Sequence, residues 1–465
     1  MTEKNELLRA TVEGLGSNGE GVIRHEGNTF FVPYCLCGEE VEFRVLKIKN
    51  GIGYGKVEKI LTPSTQRTTP KCPVFYRCGG CQLQHMDYES QLDFKGAQVE
   101  NALKKIAGIS FPVKRAQPSE RVYGYRNKLQ LPIGVDKDGN TVLGFYAERS
   151  HRIVPIERCY LHPEWSEKLI AAIQKYAQGS GEKGYDELNK TGSLRHIVVR
   201  ELDGKYIVTL VTAKKNVKDK EYLIGLLQGV FPTFTLWHNY NREETNYIFG
   251  EKFSLLYGTG FFEAEEKGIE YEAGPQTFVQ VNAGVRGKLY EEALKTVTGT
   301  GDEVVIDGYS GGGLLTAMIA KRAKRVYGIE IEQEAVDCAN SLKKKNGLDN
   351  MTNICGAVED ELRSVLEMER GEKVRLILDP PRAGIARSVL YALKKSGIEE
   401  LTIISCNPAT LARDLGILTG ALKEKDGGLE KSEADGEYEI KSVEAFDMFP
   451  MTKHVESIAR LVRKA

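Results

Sequence analysis

The sequence predicts a multidomain fold: a small N-terminal β-barrel, a central α+β region, and a C-terminal α/β unit with a doubly wound sheet. Three observations carry this prediction. A chain of 465 residues exceeds what one hydrophobic core usually supports. Residues 8–60 alternate apolar and polar positions between closely spaced glycines from Gly14 to Gly55, as short strands joined by turns do. From about residue 303 onward, short apolar strands alternate with helical segments, the order of a parallel sheet covered by helices. The expected divisions are 1–62, 63–270 and 271–465.

In the barrel, Val-Glu-Phe-Arg-Val-Leu-Lys at 41–47 is a period-two strand. A five-stranded barrel of this size is a common oligonucleotide-binding platform. The central region opens with cysteines and then reads as helix over 88–106. Strand-like segments follow at 129–133, 142–146, 196–201 and 206–212. A loop-rich passage at 258–274 leads into Phe278-Val-Gln-Val-Asn282 and the alternating C-terminal part. The acidic stretch 423–439, with seven acidic and three basic residues, reads as a solvated loop.

Composition narrows the function classes. Apolar residues at 41% and charged residues at 28% are ordinary for a globular protein. No run of about 18 apolar residues occurs, and the start Met-Thr-Glu-Lys-Asn-Glu lacks the features of a signal peptide, so a cytoplasmic location is expected. With 64 basic and 65 acidic residues the net charge is −1. A nucleic-acid partner would therefore be held by local patches rather than a global field. No dimerisation helix is evident, and a monomer is expected.

Nine cysteines in such a chain point to metal binding or catalysis where they cluster. Cys72, Cys78 and Cys81 follow C-x5-C-G-G-C, which brings three thiolates into one turn. Cys159 in the same region is the candidate fourth ligand. Zinc sites more often show paired C-x2-C knuckles and only one such pair exists here, so the spacing favours iron–sulfur while leaving zinc open. Cys35, Cys37, Cys338 and Cys355 read as core.

Three strand ends in the C-terminal part carry acids. Glu303-Val-Val-Ile-Asp307 is followed by the loop Gly308-Tyr-Ser-Gly-Gly-Gly313 and a helix at 314–322. Arg325-Val-Tyr-Gly-Ile-Glu330 places a carboxylate to accept from ribose hydroxyls, and Leu376-Ile-Leu-Asp379-Pro-Pro-Arg supplies the third. The glycine order is not G-x-G-x-x-G, and the three acids suit an adenosylmethionine pocket better than a dinucleotide one. Cys406, just past the strand in Leu401-Thr-Ile-Ile-Ser-Cys-Asn-Pro-Ala-Thr410, stands at the sheet edge where such folds place their chemistry.

These passages, together with Phe278-Val-Gln-Val-Asn and Asp447-Met-Phe-Pro-Met-Thr-Lys-His-Val-Glu456, resemble the RNA uracil-carbon-5 methyltransferases that make 5-methyluridine, especially the 23S ribosomal RNA branch. The resemblance covers nearly the whole chain. It implies an OB-like TRAM barrel that binds RNA, a four-iron four-sulfur cluster on Cys72, Cys78, Cys81 and Cys159, and a Rossmann-like class I methyltransferase domain. It places Gln280, Tyr309, Glu330 and Asp379 on positions that bind S-adenosyl-L-methionine, Cys406 on the nucleophile and Glu456 on the general base. Ser310 and Leu314 depart from residues common in relatives and bear on cofactor affinity rather than chemistry.

The chemistry needs these residue types. Carbon 5 of uracil attacks a methyl sulfonium only after a thiolate adds at carbon 6, and a base must then remove the carbon 5 proton. A helix starting after Pro408 would favour the thiolate. From 99 to 128 there are seven basic and two acidic residues, with Tyr123 and Tyr125 among them. That mixture suits single-stranded RNA, and Arg126 and Lys128 are the expected holders of a flipped nucleotide. Two other readings stand beside 23S ribosomal RNA: the same reaction on transfer RNA, and a non-catalytic RNA-binding iron–sulfur protein.

Overall fold

The computed structural model describes residues 2–277 and 279–464; Phe278 of the expected Phe278–Asn282 motif lies outside the described residues. No helix among them is long and apolar enough to cross a membrane.

Residues 7–62 form a six-stranded sheet, one strand more than expected. Alternation along each strand turns Ile23, Phe30, Val32, Val41, Phe43 and Val45 into one buried core. Gly53 and Gly55, which read as turn glycines, lie within the strand Ile52–Thr62 instead. A Cβ on Gly53 would stand 2.3 Å from the Phe30 ring, and one on Gly55 2.6 Å from Phe43. These glycines make room for core aromatics rather than for turns.

The central region holds a seven-stranded sheet from Lys128 to Tyr257. Its strands Leu194–Leu202 and Lys205–Thr212 are antiparallel neighbours, and Lys205–Thr212 pairs in parallel with Phe234–Tyr240. Helices Trp165–Ser180 and Lys220–Gln228 cover one face through Leu169, Ile173, Leu223 and Leu227.

The C-terminal sheet decides where the chemistry sits. Strand Val304–Gly308 pairs in parallel with Arg325–Glu330 on one side and with Val374–Leu378 on the other. Chain direction across the sheet thus reverses at Val304–Gly308, opening the crevice at the carboxyl ends that such folds use. Strand Glu400–Ser405 extends the parallel row, and Glu456–Arg463 and Tyr438–Phe446 then add antiparallel.

Two expected loops are hairpins. Phe262–Glu266 pairs with Ile269–Ala273 across Lys267-Gly268, and Leu422–Lys425 pairs with Gly428–Lys431 across Asp426-Gly427. All four turn residues have positive φ, between 49° and 77°, the geometry of a tight two-residue hairpin turn. The Asp-Gly pair signalled this, and reading the stretch by charge alone obscured it.

Helix α1 (Tyr88–Ala102), continued by a π-helical turn at Leu103–Ala107, falls in sequence within the central region. Its core contacts are elsewhere. Leu92, Val99 and Leu103 join Leu411, Leu415 and Leu418 of the helix Pro408–Leu418 in the core of the C-terminal sheet. Lys95 of α1 is fully buried, and its ammonium pairs with the equally buried Asp447 and donates to the Phe449 carbonyl at 3.0 Å. This contact ties α1 to the segment that leads to Glu456. A buried pair broken on one side leaves an uncompensated charge. Lys95→Met should therefore lower stability by about 3–5 kcal/mol in urea unfolding, and the double variant Lys95→Met, Asp447→Leu should recover much of that loss.

Candidate active site

Four strand ends and one strand start meet at the crevice. Asp307 ends the first strand and is fully buried, accepting a 2.6 Å hydrogen bond from the Thr316 hydroxyl. Tyr309, next along, has φ 64°, a left-handed conformation that is costly for a bulky residue and recurs at functional sites. The Glu330 carboxylate accepts from the Gly311 amide at 2.9 Å and the Glu332 amide at 3.0 Å, so the glycine loop is pinned to the second strand. Asp379 follows the strand Val374–Leu378 at the same edge.

Cys406 follows Ser405 on a turn into the helix Pro408–Leu418. Asn407 caps that helix by accepting from the Ala409 amide at 3.1 Å, and its Nδ2 donates to the Arg382 carbonyl at 3.1 Å. The antiparallel register sets Ser457 opposite Ser405. Glu456 therefore begins its strand beside Cys406, although 50 residues separate the two in sequence.

One cavity of about 520 Å³ is lined by Gln280, Tyr309, Asp379, Cys406 and Glu456. Glu330 stands just behind the glycine loop. The six positions expected for catalysis and cofactor are thus gathered at one sheet edge.

Electrostatics in this cavity are set by burial of acids. Desolvation pushes the Glu456 carboxyl up to about 8; nearby Asp379 adds to the rise and Arg382 opposes it. Burial raises Asp307 to about 7, with Asp379 and Glu330 adding, and raises Asp379 to about 6. The Cys406 thiol is raised too, first by burial and then by Glu456 and Asp379. The helix N-terminus alone does not leave this thiol below its ordinary value. Arg382 works against the rise, by its charge and a hydrogen bond to the thiol. A pocket walled by buried carboxyls suits a cationic ligand, because a positive charge there restores the ionised forms.

The four cysteines Cys72, Cys78, Cys81 and Cys159 line a second, smaller cavity of about 120 Å³. The Gly80 amide donates to the Cys78 sulfur at 3.4 Å. Among the described residues, no group of three or more Cys, His, Asp or Glu is set to clasp a metal ion. The expected four-iron four-sulfur cluster is therefore not shown by this geometry.

Arg126 and Lys128 are not brought to the Cys406 cavity. Arg126 lines the cysteine cavity, and Lys128 stands opposite Arg200 in the neighbouring strand. Burial first, then the charges of Arg200 and Arg126, push the Lys128 ammonium down to about 8. Asn127, between them and just before the strand Lys128–Val135, is the residue tied to the segment at Gln280 and Val281, its amide donating to the Val281 carbonyl at 3.0 Å and its Nδ2 to the Gln280 carbonyl at 3.3 Å.

A family model described as tRNA (Uracil-5-)-methyltransferase matches residues 257–464, and a TRAM domain model matches residues 2–57. An uncharacterized RNA methyltransferase of Clostridium tetani is 36% identical over 460 residues, covering 98% of this chain and 96% of the relative. The chain belongs to the RNA uracil-5 methyltransferase family. A second such relative, from Halalkalibacterium halodurans, is 36% identical over 468 residues, or 99% of this chain and 98% of its own. Among solved structures, the Pyrococcus abyssi tRNA (uracil-54, C5)-methyltransferase in complex with S-adenosyl-L-homocysteine superposes with a TM-score of 0.76 at 27% identity. That match covers 98% of this chain and 99% of the other. Membership makes the protein an S-adenosylmethionine-dependent RNA methyltransferase.

The methyltransferase carries two further residues at the cavity that the sequence reading did not assign. Arg382 was in view within the Asp379-Pro-Pro-Arg motif but received no role. His454 lines the cavity beside Glu456 and is kept neutral, pushed down to about 4 by burial and then by Arg382.

The lining of the cysteine cavity has features that bear on whether an anionic group could sit there. Arg126 and Arg158 both line that cavity, each with a buried Nε that has no partner, and no carboxylate lines it. Arg158 is already paired with Glu164 and Glu167 at 3.7 and 3.8 Å, whereas Arg126 forms no ion pair among the described residues, so Arg126 is the cation left to face a group of net negative charge.

Two predictions follow from the charges. Asp307, Asp379 and Glu456 keep protons that the unfolded chain, at ordinary values of 3.8 and 4.5, would have released. The folded state then binds more protons than the unfolded, so the stability of the ligand-free enzyme falls as pH rises from about 5 to about 8. Thermal melts across that window should show the fall, and Glu456→Gln should flatten its upper part. For the thiol, iodoacetamide should alkylate Cys406 more slowly in Arg382→Gln and faster in Glu456→Gln at mildly alkaline pH, with Cys406→Ala as the blank.

Proposed function

We propose that the protein methylates carbon 5 of a specific uridine in 23S ribosomal RNA, with Cys406 as nucleophile and Glu456 as base. The observation that carries this reading is the meeting of Cys406, Glu456 and Asp379 in one cavity. The Cys406 thiolate adds to carbon 6 of the uracil ring, and the electron pair of the carbon 5–carbon 6 double bond moves into an enolate. Carbon 5 is then nucleophilic. When bound, S-adenosylmethionine supplies the methyl group that carbon 5 accepts. Glu456 takes the carbon 5 proton, the double bond reforms, and the sulfur leaves carbon 6 as thiolate. Gln280, Tyr309, Glu330 and Asp379 hold the methyl donor in this reading. Arg382 holds the thiolate form of Cys406 against the surrounding acids.

A raised Glu456 carboxyl is a stronger base once ionised, and it is protonated at low pH. Single-turnover methyl transfer should therefore rise with pH up to about 8. Cys406→Ala should abolish transfer. Glu456→Gln should stop after methylation, leaving an RNA–protein adduct that survives denaturing gel electrophoresis.

The ribosomal assignment rests on the sequence resemblance to the 23S branch; the barrel and the cysteine loop do not separate the two substrates, because the Pyrococcus abyssi enzyme superposes over 98% of this chain. Transfer RNA is the second reading, favoured by the name of the Pyrococcus abyssi neighbour. Labelled methyl transfer to unmodified 23S ribosomal RNA and to unmodified transfer RNA, mapped to single nucleotides, separates the two. No transfer to either would overturn both.

We also propose that Cys72, Cys78, Cys81 and Cys159 hold a four-iron four-sulfur cluster, supported by their shared cavity and the buried, unpartnered Nε atoms of Arg126 and Arg158. Protein purified without oxygen should contain iron and acid-labile sulfide in equal amounts and absorb in the visible. Cys78→Ser should lose both, and an equimolar zinc content instead would replace the cluster with a single ion.

A further inference from the structure

The N-terminal barrel is fixed directly over the catalytic thiol. Ser17 accepts a 2.6 Å hydrogen bond from Gln98 of α1, and Asn18 accepts one at 2.7 Å from Lys453, beside His454. Between the barrel, α1 and the loop carrying Cys406 lies a groove of about 890 Å³. Its lining includes Cys406, Arg382, Lys453, Lys105, Phe94 and Phe31. Asp93, the acid on its wall, is paired with Arg115 at 3.3 Å, while neither Lys105 nor Lys453 pairs with a carboxylate among the described residues. The groove is therefore cationic along its length.

The groove does not end at the barrel. Asn18 and Phe31 also line a second hollow of about 200 Å³ on the outer barrel face, together with Tyr54, Leu46 and Arg149. In the parallel pairing of Asn28–Val32 with Ile52–Thr62, Phe31 is the partner of Tyr54. Alternation buries Phe30 completely and turns Phe31 outward. The Phe31 and Tyr54 rings lie 6.1 Å apart at 34°, and Tyr54 is 43% exposed. Leu46 beside them is 46% exposed. An open aromatic pair with an aliphatic neighbour gains nothing from water and offers flat faces to a base.

We propose that this continuous track carries the single-stranded RNA flanking the target uridine, with Phe31 and Tyr54 as a base-stacking platform and Lys105 and Lys453 on its phosphates. The proposal rests on the reading of Cys406 as the residue that meets the target, and it deepens that reading by giving the strand a path. The occupant is RNA rather than a peptide because the track joins the catalytic groove, the unpaired charges of that groove are cationic, and the aromatic pair stands at the outer end, where Glu148 lies 3.9 Å from Arg149 and Glu20 is taken up by hydrogen bonds from Asn18. Stacking is worth roughly 1–3 kcal/mol per base, so losing the platform should weaken a flanked RNA by about tenfold or more.

The test uses the full-length protein and two RNAs, one trimmed to the target loop and one carrying flanking single-stranded nucleotides. In the unaltered enzyme the flanked RNA should have the lower KM. In the Phe31→Ala, Tyr54→Ala double variant that lead should collapse about tenfold or more, through KM rather than kcat. A lead kept in full would overturn the platform. Binding is read separately in a Cys406→Ala background with 2-aminopurine placed in the flank: its fluorescence should be quenched on binding, and the double variant should abolish the quenching. Quenching without any methyl transfer by the unaltered enzyme would sink the catalytic reading while upholding the track. Transfer without quenching would do the reverse.

Discussion

The structure depends most on one strand pairing. Glu456–Arg463 runs antiparallel beside Glu400–Ser405 with Ser457 opposite Ser405, and this register alone brings Glu456 next to Cys406. A slip of one residue would turn Glu456 to the other face of the sheet. The register is held from both faces. Ile403, Ala459 and Leu461 pack on the α1 side, and Ile404 and Ile458 on the other. The buried Lys95–Asp447 pair anchors the segment before Glu456 to α1. Removing one partner would strand a buried charge, so the pair holds that segment to α1.

Around that register the protein places more acid than a dry cavity tolerates. Asp307, Asp379 and Glu456 are all raised by desolvation, and each raises or is raised by another. In the ligand-free state this is a cost. A methyl donor with a sulfonium charge relieves it, so the same groups that weaken the empty site favour binding. Arg382 is the counterweight on the thiol side, opposing the rise of both Cys406 and Glu456.

The two accessory regions meet this site differently. The barrel reaches it through Ser17 and Asn18, whose bonds to Gln98 and Lys453 set its outer face in line with the thiol. The cysteine loop lies further along the same surface, since Cys78, Gly79 and Cys81 form part of the hollow beside Tyr54. Folding of that loop and the shape of the outer hollow are therefore coupled.

Much of this was legible in the residues because local chemistry dictates it. Apolar strands ending in Asp307, Glu330 and Asp379, a glycine loop after the first, and a cysteine between strand and helix announce an α/β crevice and its edge without reference to the rest of the chain. The C-x5-C-G-G-C run likewise declares its own turn. What the sequence could not decide was which distant segments touch. Hydrogen bonds across the fold tie Asn127, not Arg126 or Lys128, to Gln280 and Val281, a choice set by the path of the chain before the strand rather than by charge. Packing drew α1 away from its sequence neighbours onto the C-terminal sheet, and put Gly53 and Gly55 under aromatic rings instead of in turns. The lowered His454, the raised Glu456 and the hold of Arg382 on Cys406 depend on burial and on distances across the fold. Those quantities exist only once the chain has closed around them.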